Sequence, residues 1–310
     1  MFRFQKEQEI CNIAGTKVGG QPGELPTVVA GTIFYTGHKI IEDPDKGIFD
    51  RNAAEKLIND QESNSDETGI PHIIHIFSNT LESMHKYIDF VCDISDVPFI
   101  VDSSEPKVRT DAALYTTETG LADRTIYNSV NMSTKAREIE CLKLSDVDSS
   151  IILGFNAIDS SLDGRMKLLE DGGGILDKGL VEIANDCGIS NKLIDPSITP
   201  MGSGAGIALR MSLTAKARWG HPVGSGIHNA PSSWSWLQNK RKEDPLKYKI
   251  CDIGSIGMQI VSAGDFILYG PMENAPYVFP LVAMGDIMVY EAVEDMDIEH
   301  SDNHPINRLV

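Results

Sequence analysis

The sequence is poor in cysteine and has no cysteine pairs. Its five cysteines, Cys11, Cys92, Cys141, Cys187 and Cys251, are scattered without a CxxC spacing. An odd, scattered set fits neither a disulfide frame nor a thiolate zinc site, so reduced packing residues are expected. Positive charge is also scarce: 27 Lys and Arg face 45 Asp and Glu, a formal charge of −18 with a pI near 4.8. That balance excludes the basic footprint of a nucleic-acid-binding surface and argues against direct docking on anionic lipid. No stretch approaches the roughly 20 apolar residues that span a bilayer. Residues 1–10 are too polar for a secretory core. A cytoplasmic chain with no membrane span and no nucleic-acid partner is therefore predicted. The histidines show no HxH or HExxH spacing, so no metal site is expected. A GxGxxG turn after the first strand is missing as well, which speaks against a doubly wound dinucleotide fold.

What is present is a repeated strand-then-helix rhythm. At 310 residues, 41% hydrophobic and with 27 glycines, the chain suits a compact α/β protein. Residues 192–234 hold one full unit. The apolar run Lys192-Leu193-Ile194 ends in Asp195-Pro196, and after a helix the run Pro222-Val223-Gly224 leads to Ser225-Gly226-Ile227-His228-Asn229. Earlier units begin with the buried-strand runs 27–34, 72–77, 98–101, 124–127 and 150–155, and the last strand is 265–269. Asp50 and Thr80 are N-caps, Thr68-Gly69 closes a helix, and Pro106 sits at an allowed first-turn position. Eight such units predict a (β/α)8 TIM barrel, read as one domain over residues 1–310. Residues 1–26, with Gly-Gly and Pro-Gly turns, predict a hairpin beneath the barrel. Residues 35–49 read as a long loop, and 159–174 as a charged, glycine-rich loop before a helix over 175–187. Residues 232–264 form an extra segment between strands seven and eight, too long for one helix. Its basic run Lys240, Arg241, Lys242 reads as a solvated helix end or a partner contact. Residues 295–310 form a polar C-terminal arm, ordered or frayed.

Five polar residues fall at the carboxyl ends of apolar strands: Asp102, Asn128, Asn156, Asp195 and Asn229. Each alone reads as a helix cap, but a barrel converges all five at one mouth. Carboxylates and neutral amides together suit a flat, nitrogen-rich heterocycle whose edge offers both donors and acceptors. Ser225 in GSGIH lacks the GxSxG nucleophile spacing. The MGSGAG run after Asp195 is weak evidence for a phosphate cradle.

The segments GGQPGELPTVVAGTIFY, GHKIIED, FIVDSS, IYNSVN, ILGFN, GSGIHNAPS and DFILYGPMEN, in this order, resemble the H-subunit family of tetrahydromethanopterin S-methyltransferases, from residue 1 nearly to residue 310. That family belongs with the pterin-binding barrels, which include dihydropteroate synthase and the corrinoid iron-sulfur protein methyltransferases. FIVDSSEPKV resembles their third-strand aspartate motif, IYNSV their fourth-strand asparagine motif and LIDP their sixth-strand aspartate motif. The resemblance thus implies pterin contacts at Asp102, Asn128 and Asp195. Asn229 matches the asparagine directed at the methyl-bearing ring nitrogen, and Asn156 follows by position. Asn229 and Asp195 are the implied catalytic pair. Asp195-Pro196-Ser197 departs from the Asp-Pro-Gly loop of the synthase and lacks its following basic residue, which weighs against a synthase-like reaction. The implied reaction moves a methyl group from N5-methyl-tetrahydromethanopterin to a Co(I) corrinoid on a partner protein, as in methanogenesis. Alternatives are transfer from a methylcorrinoid protein to tetrahydrofolate, and a non-catalytic pterin-binding scaffold. The implied partners are a corrinoid-carrying protein, the other members of a membrane methyltransferase complex, and a second copy of the chain. Such a chain would sit peripherally on the cytoplasmic face of the membrane.

Overall fold

A computed structural model describes residues 2–310; Met1 lies outside them. The chain opens with an antiparallel hairpin, β1 (Ile10–Ile13) and β2 (Thr16–Gly19), turning at Ala14 and Gly15, both in the left-handed region. β3 (Val28–Ile33) starts the barrel, and the loop after it carries a small ladder, β4 (Ile41–Asp43) with β5 (Ile48–Phe49). The following units are α1 (Arg51–Thr68), β6 (His72–Phe77), α2 (Leu81–Ile94), β7 (Phe99–Asp102), α3 (Pro106–Glu118), β8 (Thr125–Val130), α4 (Ala136–Leu144) and β9 (Ser149–Leu153). Then come α5 (Leu162–Glu170), α6 (Leu180–Asp186), β10 (Asn191–Asp195), α7 (Ala205–Trp219) and β11 (Gly224–Ser225). The chain closes with α8 (Asn229–Ser232), α9 (Ser235–Lys240), α10 (Pro245–Val261), β12 (Phe266–Pro271), α11 (Ala275–Glu291) and α12 (Ile306–Leu309).

One parallel sheet of eight strands runs in the order β10-β9-β8-β7-β6-β3-β12-β11. A parallel bridge between Ile194 and Val223, with Ile194 N donating to Pro222 O at 2.8 Å, joins the two ends into the expected (β/α)8 barrel. Local chemistry sets the helix limits. Asp50 accepts from Ala53 N at 3.0 Å, Thr80 accepts from Ser83 N at 3.2 Å, and Gly69 ends α1 at a φ of 80°.

Along each strand the side chains alternate between the barrel interior and the helices. Val28, Ile73, Ile100, Ile126, Ile151, Leu193 and Phe266 fill the lower interior together with Cys11, Ile13 and Val18 of the hairpin. The hairpin therefore plugs the amino-terminal end of the barrel, as its position in the sequence predicts. Each fully buried aliphatic side chain in this layer contributes about 1.5–3 kcal/mol. Ile33, Ile74, Ile76, Phe99 and Val101 face outward onto the surrounding helices.

A buried ion pair fastens the same end. Lys216 of α7 donates to both oxygens of Asp265, at 2.6 and 2.7 Å, and to Gly20 O at 2.9 Å, while Asp265 accepts from Val223 N at 2.8 Å. One ammonium thus links α7, the end of the hairpin and the starts of two barrel strands.

Three segments differ from their sequence-based expectation. Residues 35–49 carry the β4–β5 ladder rather than open loop. Residues 159–174 are mostly helix: Ser161 accepts from Gly164 N at 3.1 Å and caps α5. The next helix starts at Leu180 rather than 175, because Ile175 N and Leu176 N turn back onto Gly172 O at 2.9 and 3.1 Å and extended Gly179 forms the N-cap. The segment 232–264 contains α9 and then α10, the barrel's own seventh helix. The C-terminal arm is ordered: His304 is buried and Ser301 N donates to Glu24 O at 2.9 Å.

Candidate functional site

Two residues beyond the lower interior layer, the strands change character. Ala30, Ile73, Ile100, Ile126 and Leu193 are followed on the same inward face by Thr32, His75, Asp102, Asn128 and Asp195. These polar residues line a cavity of about 450 Å³ at the carboxyl mouth, together with Ser103, Arg109, Asn131, Leu153, Gly226, His228, Asn229 and Leu268. The period of two that fills the core with aliphatics delivers polar groups one step higher.

Four of the sequence candidates, Asp102, Asn128, Asp195 and Asn229, therefore share one cavity. Asn156 does not line it. Its Oδ1 accepts from Ile158 N at 2.9 Å and Asp159 N at 2.8 Å, and its Nδ2 donates to Gly164 O at 2.9 Å. Every polar atom of this buried amide is used to shape the loop into α5, because Asn156 lies three residues past the end of β9. Its placement by position is corrected accordingly.

Asp102 is oriented by a relay. Thr32 Oγ1 lies 2.9 Å from His75 Nδ1, and His75 Nε2 lies 3.0 Å from Asp102 Oδ2. Both ring nitrogens of His75 are engaged, which fixes the imidazole and leaves Asp102 Oδ1 for a ligand. Asp195 is buried, and its Oδ1 accepts from Ser197 N at 2.7 Å. Burial pushes its acid up to about 7, with the Ser197 N–H and the Arg165 charge pulling the other way. Arg165 is wholly buried and donates through Nη1 to Pro196 O and Ser197 O, both at 2.7 Å, holding the loop that follows Asp195.

Asn229 opens α8, its N–H donating to Gly226 O at 2.9 Å. Its side-chain amide lies against the backbone of Gly226, where an added Cβ would meet Nδ2 at 2.8 Å. Glycine there leaves the amide the room it occupies beside the cavity. Among the described residues no hydrogen bond engages the side-chain amides of Asn128 or Asn229, so both are available to a ligand. His228 is driven down to about 4 by burial and by its neighbour His75, so it stands neutral in the wall. Arg109 is buried and locked to Ser103 O at 2.6 Å and Glu138 Oε1 at 2.9 Å.

Sequence reasoning missed Thr32, His75, Arg109, Asn131 and His228. The first two were within reach: strand periodicity places them inward, one step above Ala30 and Ile73. Arg109 and Asn131 arrive from α3 and from the turn after β8, where no strand periodicity applies. A cluster of at least three metal-ligating side chains is absent among the described residues.

The family described as tetrahydromethanopterin S-methyltransferase MtrH subunit matches residues 6–301. The chain belongs to this family. Its relatives include the mtx H subunit of Methanosarcina barkeri (strain Fusaro), described as a candidate methyltransferase, 66% identical over 310 residues and the full length of both chains. The H subunit of the tetrahydromethanopterin S-methyltransferase of Methanothermobacter marburgensis is 52% identical, again over 310 residues and both full lengths. Among solved structures, a dihydropteroate synthase of Yersinia pestis in complex with a sulfonamide drug superposes with a TM-score of 0.61 at 13% identity, covering 93% of this chain and 100% of that one. At that identity the likeness establishes the barrel alone, in agreement with the strand order above. The family assignment agrees with the resemblance carried by the sequence segments.

Proposed function

We propose that the chain is the methyltransferase component that takes the methyl group from N5 of methyl-tetrahydromethanopterin and passes it to a corrinoid carried by a partner protein. The observation that carries this reading is full-length membership of a methyltransferase family, combined with a barrel mouth whose free polar groups are amides and carboxylates. In the reaction the N5–CH3 bond breaks, a Co–CH3 bond forms with both electrons from Co(I), and N5 keeps the pair of the broken bond and gains a proton. A tertiary amine is a poor leaving group, so groups that bind the nitrogen better in the transition state than in the ground state are what the protein must supply. Asn229 is assigned to that nitrogen, because its amide can accept from or donate to it. Asp102, Asn128 and Asp195 are assigned to the N–H-rich edge of the pterin, where they fix the ring for in-line transfer.

Methylcobalamin formation from cob(I)alamin, measured with purified protein and the methyl derivatives of tetrahydromethanopterin and tetrahydrofolate side by side, tests the reading. Transfer preferring tetrahydromethanopterin supports it; preference for tetrahydrofolate moves the chain to the alternative substrate, and no transfer with either leaves a binding scaffold. Asn229→Ala is expected to lower the rate about 10²-fold, the usual order for one transition-state contact. An unchanged rate at saturating pterin would remove Asn229 from its role.

The assembly belongs to the same reading. No helix among the described residues is long and apolar enough to cross a membrane, and association with a membrane complex is assigned to contacts with its other members. A second copy of the chain is the expected partner for the apolar face of α10 and α11, where Ile250, Met258, Val261, Met284 and Met288 are exposed beside a groove lined by Met201, Leu209 and Trp234. Sedimentation is expected to show a dimer that Met258→Glu converts to monomer; a wild-type monomer at micromolar concentration would refute it.

A further inference from the structure

A second cavity, of about 490 Å³, adjoins the first and shares His228 with it. It is lined by Tyr35, Arg241, Lys249, Asp252 and Glu273 among others. Its charged groups fall into two sets. Glu273 is already engaged by Tyr35 Oη at 2.9 Å and by His38 Nε2 at 3.2 Å. Asp252 is not: it is only 7% exposed, and its Oδ1 has no hydrogen-bond partner, the nearest ring nitrogen, His228 Nδ1, lying 3.9 Å away. A buried carboxylate oxygen left unsatisfied is costly unless something donates to it.

The cations are free in the same sense. Lys240 and Lys247 pair with Glu243 and Asp244 at 2.7 and 3.0 Å, as a solvated helix end should. Arg241 and Lys249 pair with no carboxylate among the described residues. Each is instead held over an aromatic ring, Arg241 at 4.8 Å from the centre of Tyr248 and Lys249 at 3.4 Å from that of Tyr277. In a chain of net charge −18, two uncommitted cations at one cavity are a local reversal of sign.

We propose that this second cavity holds the tail of the substrate, with an N–H or O–H of the linker donated to Asp252 and an anionic group farther out held by Arg241 and Lys249. The inference rests on the pterin reading of the first cavity and extends it to a ligand class: a tetrahydropterin whose tail carries an N–H or O–H donor near the ring and an anionic group farther out. The order of groups matches such a ligand. Asn229 lies in the first cavity, His228 is shared, Asp252 follows, and the cations come with α9 and α10. A carboxylate accepts amine and hydroxyl donors, and the guanidinium fork suits phosphate or carboxylate. Burial raises the Asp252 acid to about 6, opposed by the Arg241 charge, so near neutral pH the group is largely an acceptor.

The test is calorimetric binding of tetrahydromethanopterin and of a tetrahydropterin that lacks the tail, which requires no methyl transfer. In wild-type protein the tailed ligand is expected to bind the more tightly. The double variant Arg241→Gln, Lys249→Gln should lower that preference by about tenfold, the order expected for charge-assisted contacts discounted for exposure. Asp252→Asn should lower it as well, while Lys242→Gln, a neighbour on the same run that does not line the cavity, should keep it. An unchanged preference in both the double variant and Asp252→Asn overturns the inference. So does a defect confined to transfer onto protein-bound corrinoid, which would assign the cations to carrier docking. Tail-dependent binding in a protein that transfers no methyl group would uphold the cavity assignment and refute the methyltransferase reading; no tetrahydropterin binding at all overturns both.

Discussion

Asp195 carries a pH dependence whose sign follows from its burial. An aspartate in an unfolded chain ionises near 3.9, whereas in the fold Asp195 titrates near 7 because burial disfavours its charge. Between these values the folded state binds the extra proton, so this group makes stability fall as pH rises from about 4 to 7, with no further change above. Asp286, buried against Thr27 and likewise raised to about 7, acts in the same direction. Ligand binding has the opposite slope. Under the proposed assignment, the edge of a pterin that offers N–H donors needs Asp195 as a carboxylate, so below pH 7 binding would expel a proton and the affinity would rise by up to about tenfold per pH unit, levelling off above. Titration calorimetry from pH 5 to 8 should show this rise in the wild type and a nearly flat line in Asp195→Asn. An affinity that falls with rising pH would mean that Asp195 donates instead of accepting. Of the individual residues, Asp102, Asn128 and Asp195 were legible because each is the polar residue that ends an apolar strand run, whereas Thr32 and His75 lie inside their runs. Asn156 misled because an asparagine just past a strand looks the same whether it faces a ligand or, as here, wraps its own loop.

At the scale of elements, the Lys216–Asp265 pair decides how the closing strands are held. Lys216 is 1% and Asp265 8% exposed in side chain, and the carboxylate also carries the Val223 N–H. Lys216→Met leaves that carboxylate buried and unpaired, which costs about 3–5 kcal/mol. Urea unfolding should show the loss, and adding Asp265→Asn should recover part of it, since the amide oxygen still accepts from Val223 while the stranded charge is gone. A Lys216→Met protein as stable as wild type would show that Asp265 sits protonated without its partner. The pair also marks the limit of what sequence reading reaches. The strands, the caps at Asp50 and Thr80 and the hairpin plug follow from local pattern. A lysine in the last turn of a helix gives no local sign that it will be drawn inside by an aspartate 49 residues later. The α5 segment was obscured differently: its charges and the following glycines mask a helix whose apolar face, Leu168 and Leu169, is short.

At the scale of the molecule, the barrel has two unlike ends, and the proposed carrier protein could use only one. The strands deliver their carboxyl ends to the cavity, and the returning helices deliver theirs to the hairpin, as Glu9 N donating to Gly220 O at 2.8 Å shows for α7. Glu170 closes α5 and pairs with Arg218 in the last turn of α7, so its side chain is drawn toward the hairpin end, away from the mouth. Under the proposed methyl transfer, a corrinoid is too large to enter the cavity unaided, and its carrier would have to reach the loops around the mouth. There, after β11, Trp236 stands half exposed with its ring 4.7 Å from that of Trp234, the kind of aromatic anchor that dominates protein contacts. Trp236→Ala is therefore expected to slow transfer onto the protein-bound corrinoid by about tenfold or more while changing transfer to free cobalamin little. Charge reversal at Glu170 should alter neither, because its partner Arg218 ties it to the opposite end. Equal losses with both acceptors in the tryptophan variant would assign Trp236 to the pterin or the fold, and a carrier-specific loss on reversing Glu170 would place the carrier at the hairpin end, where the plugged barrel offers it no route to the methyl group.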